Sequence, residues 1–98
     1  MLTSKQRAYL RSLSAGQDSI FQIGKQGTAP EVVKALDDAL EARELIKITV
    51  LKNCGEELHS VAEVISSRTH SEVVATIGSK IILYRPAKKP KLELPGAK

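Results

Sequence analysis

The sequence predicts an α/β fold, a four-stranded mixed sheet with three helices in the order α-β-α-β-α-β-β. Three observations carry this reading. Apolar residues recur at helical spacing in three segments, and β-rich runs separate those segments. The last two runs are joined only by Gly78-Ser79, a two-residue hairpin signal. Strand–helix–strand steps call for right-handed crossovers between parallel strands, whereas hairpin strands pair antiparallel, so the sheet is mixed.

The first helix is expected to start at Thr3, where Thr3-Ser4-Lys5-Gln6 reads as a capping box, and to stop near Gly16. Gln6, Leu10 and Leu13 form one stripe at helical spacing, with Lys5, Arg7, Arg11 and Ser12 placed away from it. Ile20-Phe21-Gln22-Ile23 reads as a short strand running into Gly24-Lys25-Gln26-Gly27. Thr28-Ala29-Pro30-Glu31 reads as a second capping box, followed by a buried stripe of Val33, Leu36 and Leu40 widened by Val32 and Ala39. The other side of that helix carries Asp37, Asp38, Glu41 and Glu44, a charged face expected to be solvated.

Residues 45–51 alternate Ile46, Ile48 and Val50 with Lys47 and Thr49, the pattern of a half-exposed strand. Asn53-Cys54-Gly55-Glu56 is expected to open the third helix, with Leu58, Val61, Ala62 and Ile65 on one face. Residues 72–77 and 80–84 form the final hairpin, and Ile81, Ile82, Leu83 and Tyr84 mark its second strand as the most buried of the sheet. The domain is thus expected over residues 1–85. Residues 86–98 lack periodicity and read as a disordered basic tail.

The 98 residues suffice for one modest core, built from Leu, Ile, Val and Ala because the chain has one Phe, two Tyr and no Trp. No apolar run reaches the roughly 18 residues of a membrane span, and no leader-like stretch opens the chain. With a single cysteine, Cys54, the chain has no internal disulfide and fits a reducing, cytoplasmic setting. The net charge of +4 is unevenly spread. Residues 1–29 set Lys5, Arg7, Arg11 and Lys25 against Asp18 alone, and the tail sets Lys88, Lys89, Lys91 and Lys98 against Glu93. Residues 30–63 carry twice as many acids as bases. Basic charge gathered at one end points to a polyanionic partner.

Residues 24–27 concentrate the functional signal. Gly24 and Gly27 let the backbone approach a ligand closely, the following helix offers unpaired N–H groups to a phosphate, and Lys25 adds charge at the tip. A GxxG loop of this kind clamps a nucleic-acid backbone in KH domains. Lys5, Arg7 and Arg11 join Lys25 in one patch if helix one lies across the sheet end near the loop. The candidate RNA-contacting residues are therefore Lys5, Arg7, Arg11, Gly24, Lys25, Gln26, Gly27 and Thr28.

Catalysis has little support. Cys54 and His59, five apart on the expected third helix, would sit on different faces and match no common metal spacing. No second group activates Cys54, and no cofactor or metal is expected. A protein-interaction adaptor, docking through the basic first and acidic second helices, is the alternative to RNA binding.

Leu2-Thr3-Ser4-Lys5-Gln6-Arg7 with Leu10-Arg11, Ile23-Gly24-Lys25-Gln26-Gly27, Leu40-Glu41-Ala42-Arg43-Glu44-Leu45-Ile46-Lys47, and Ile77-Gly78 with Ile82-Leu83-Tyr84-Arg85 together resemble the CRM domain (chloroplast RNA splicing and ribosome maturation) in its single-domain, YhbY-like form. The resemblance spans residues 2–85. It implies an RNA-binding fold related to the C-terminal domain of a bacterial translation initiation factor. It also implies association with ribosomal RNA or precursors of the large ribosomal subunit, and the chain is expected to be a monomer. The linker Ser14-Ala15-Gly16-Gln17-Asp18-Ser19 departs from the family pattern, with Gln17 where an apolar residue is usual.

Overall fold

The computed structural model describes residues 2–86. The elements are α1 (Ser4–Ser14), β1 (Phe21–Ile23), α2 (Pro30–Arg43), β2 (Leu45–Val50), a 3₁₀ turn (Lys52–Cys54), α3 (Leu58–Thr69), β3 (Glu72–Ile77) and β4 (Lys80–Tyr84). The expected fold class and element order are present. The expected tail lies, Pro86 apart, outside the described residues.

The strands lie in the order β1-β2-β4-β3. β1 pairs parallel with β2, and β4 is inserted antiparallel between β2 and β3. The α3 crossover therefore returns the chain parallel to β2 but one strand further out, leaving a slot that the hairpin fills with β4. Being central, β4 is buried from Ile81 to Tyr84.

Side-chain alternation divides the interior between two faces of the sheet. Ile23, Ile46, Ile48, Ile81 and Leu83 pack with Val32, Leu36 and Leu40 of α2 and Val61 and Ile65 of α3. On the other face Leu45, Val74, Ile82 and Tyr84 pack against Leu10 of α1. Burying Leu10 and Leu36 completely contributes roughly 1.5–3 kcal/mol each.

Four local expectations are corrected. In α1 the inward face is Arg7, Leu10 and Ser14, while Leu13 is exposed. Arg7 turns inward because the register slips between Val73 and Ala75; its guanidinium donates to the Val73 and Val74 carbonyls and pairs with Glu72. The helix closes at Ser14, with Ala15 as its right-handed C-cap, one residue before Gly16.

The Thr28 capping box does not form. Ala29 is the N-cap of α2, with no side-chain bond, and Pro30 fills the first turn. Cys54 is buried in the 3₁₀ turn, and left-handed Gly55 (φ 81°) separates that turn from α3, so Cys54 and His59 do not share a helix. The acidic face of α2 is not merely solvated. Arg85 donates to Asp37 at 2.5 Å and to Glu41 at 3.3 Å, while Lys34 pairs with Asp38.

Tyr84 is buried at the end of β4 beside Glu44. Desolvation, and then the nearby Glu44 carboxylate, raise its phenol above the usual 10.0. The folded chain thus keeps a proton that the unfolded chain releases, so stability is full below about pH 10 and falls as pH rises beyond it. Tyr84→Phe should flatten this alkaline decline relative to the parent chain in urea unfolding between about pH 8 and 11. Parallel declines would exclude Tyr84 as its source.

Candidate nucleic-acid interface

The loop after β1 is built by short backbone bonds. The Leu51 N–H donates to the Ile23 carbonyl at 2.8 Å, prolonging the β1–β2 pairing by a step. The Gly27 N–H then donates to Gly24 O at 3.0 Å, and the Ala29 N–H to Gln26 O at 3.1 Å. The Gln26 side chain folds back to accept the Gly24 N–H at 3.2 Å.

Both glycines answer local structural demands. A Cβ on Gly24 would stand 3.2 Å from Asn53 Oδ1 and 3.6 Å from Leu51 Cδ1. Gly27 has φ +55°, and a Cβ there would lie 2.3 Å from Glu56 Oε2. The glycines alone therefore do not mark a ligand site. What the loop displays is more informative. The N–H groups of Lys25, Gln26 and Thr28 have no protein acceptor among the described residues. Lys25 is exposed and without an ion pair among them. With the uncapped start of α2 behind it, this cationic loop is suited to an anion. Two exposed acids oppose it: Glu56, whose carboxylate lies beside Gly27, and Glu31 in the first turn of α2.

Two further segments meet this end of the sheet. The Val50 N–H donates to Ser79 O at 2.8 Å, which brings the β3–β4 turn beside the connection from β2 to α3. Exposed Lys52 and Lys80 thereby join Lys25 on the same end. Neither is evident as a companion of the loop in the sequence, nor is Glu56, because Lys52 and Glu56 reach it through the β1–β2 pairing and Lys80 through the insertion of β4.

The expected union of Lys25 with all three α1 cations is not formed. Arg7 is anchored at the opposite edge and the opposite end of the sheet, where Glu72 lies in register with Tyr84 and Leu45. Three strand spacings and five residues of rise put that corner on the order of 20 Å from Ile23. Arg11 flanks a shallow groove of about 230 Å³ lined also by Ser4, Arg7, Ala8 and Val74. Lys5 lies about 160° round the helix from Arg7, away from the sheet, and is exposed.

Gly27→Ala should lower stability by about 1–2 kcal/mol in urea unfolding, mostly through the left-handed backbone. The Glu56 carboxylate ends an exposed flexible side chain, so adding Glu56→Ala should recover only a minor part. Full recovery would show that the clash, rather than φ, fixes the glycine.

The chain matches the family model of the CRS1 / YhbY (CRM) domain over residues 2–85. It is 47% identical over 96 residues to the probable RNA-binding protein YqeI of Bacillus subtilis, covering 97% of this chain and 100% of the relative. An RNA-binding protein of Haemophilus influenzae is 31% identical, with 96% of this chain and 95% of the relative covered. The solution structure of a hypothetical protein from Staphylococcus aureus superposes with a TM-score of 0.82 at 51% identity, covering 97% of this chain and all of the other.

Proposed function

The chain belongs to the CRS1/YhbY (CRM) domain family, and from that premise we propose that it binds RNA through the 24–27 loop, with ribosomal RNA in large-subunit precursors as its target. The observation that carries this reading is the open row of N–H groups at Lys25, Gln26 and Thr28 beside the unpaired Lys25. The relatives named for RNA binding support the choice of ligand. The ribosomal target follows from the resemblance to YhbY-like proteins.

In this mechanism a backbone phosphate accepts bonds from the loop N–H groups, and the α2 dipole and Lys25 supply the opposing charge. Such contacts hold the sugar–phosphate chain without reading bases, so affinity is electrostatic and selection rests on RNA shape. Thr28, half-buried at the loop's exit, adds its unpaired N–H to those of Lys25 and Gln26. Lys52, Lys80 and Arg11 add longer-range attraction. Lys5 acts from the outer face of α1, and Arg7 acts through the scaffold by holding α1 to β3. The protein works as a monomeric binding module in the cytoplasm, without a cofactor. No helix among the described residues is long and apolar enough to cross a membrane.

The test is a titration of large-subunit ribosomal RNA fragments, against unrelated RNA of equal length, across a salt series. About four neutralised phosphates give a slope of log K against log salt near −3. Lys25→Ala should weaken binding several-fold and make the slope shallower by about 0.7. A slope near zero would favour the adaptor reading, and unchanged binding by Lys25→Ala would move the RNA site away from the loop. Glu56→Gln should tighten binding modestly, because it removes a negative charge beside the phosphate position.

A further inference from the structure

The face of the sheet that carries α1 is only partly covered. Register and alternation place its side chains in rows. At one end Leu45 and Tyr84 lie in register beneath α1 and are buried with Leu10. In the next row Lys47 is half-buried and Ile82 is buried. At the far end Gln22, Thr49, Lys80 and Ile77 stand side by side across all four strands. Three of these four are exposed, Ile77 at 52%, and Thr49 is half-buried.

From this open row we infer a second RNA contact, rested on the reading above: the strand held at the 24–27 loop continues across the sheet face, with phosphates at Lys80 and Lys47. Continuity is the first argument. Gln22, at one end of the row, is two residues before Gly24. The row crosses about 14 Å, the rise of about four stacked nucleotides. Charge is the second argument. No acidic side chain stands in the row, and Lys80 has no ion pair among the described residues. The acids that pair with Arg85 and Lys34 lie on α2, across the sheet. Lys47 already donates to Gln17 O at 3.0 Å, and Thr49 to Ser19 Oγ at 2.8 Å. Lys80 is therefore the residue to test.

The experiment compares Lys80→Glu, Ile77→Lys and Lys25→Ala in the full chain for affinity to the same ribosomal RNA fragments. Unfolding midpoints and sedimentation are measured for each. Lys80→Glu should weaken binding about tenfold at low salt, and Ile77→Lys, which adds a cation to the row, should tighten it. Photo-crosslinking with thiouridine-substituted RNA should mark the peptide containing residues 77–80. Loss of binding by Lys25→Ala with no effect of Lys80→Glu or Ile77→Lys would overturn the sheet contact and leave the loop reading standing. RNA binding unaffected by all three variants, or absent in the parent chain, would overturn both. A change in oligomeric state without a change in RNA affinity would assign the row to a second copy of the chain and overturn the inference.

Discussion

The architecture depends on the burial of β4 from both sides. Ile81 and Leu83 feed the interior beneath α2 and α3, and Ile82 and Tyr84 feed the smaller one beneath α1. A central strand of this kind can tolerate almost no polar side chain, and Lys80 is admitted only because it opens the strand at the sheet's end. The two sides are unequally covered. α2 and α3 shield one face along the strands, whereas the 11-residue α1 spans only one end of the other.

The element order was legible because each segment keeps one period throughout. The sides of α1 were not. Arg7 reads as a surface cation, and only the register slip at Val73 explains its inward turn, since the slip leaves carbonyls that a long cationic side chain can reach. The Thr28 signature has the right residues, yet helix α2 begins after Ala29 because Gly27 turns left-handed and Gln26 O takes the Ala29 N–H. Sequence reading likewise merged the 3₁₀ turn with α3, because left-handed Gly55, which separates them, leaves the apolar spacing of α3 intact.

The loop was legible through its glycines, though for a reason different from the one they suggest. Gly27 answers a left-handed backbone and Gly24 a tight side-chain neighbourhood, and the ligand-facing features are the unpaired amides and Lys25 between them. The companions Lys52, Lys80 and Glu56 were hidden because they are distant from the loop in sequence. Lys52 and Glu56 reach it when β1 pairs with β2, and Lys80 when β4 enters the sheet between β2 and β3.

Arg7 has one more consequence. β3 is an edge strand, and an unguarded edge offers its open carbonyls and amides to strands of other chains. The register slip twists that edge, and a guanidinium fixed across two of its carbonyls puts positive charge where an incoming strand would dock. The contact that secures the first helix thus also occupies carbonyls that a strand from another chain would need for pairing.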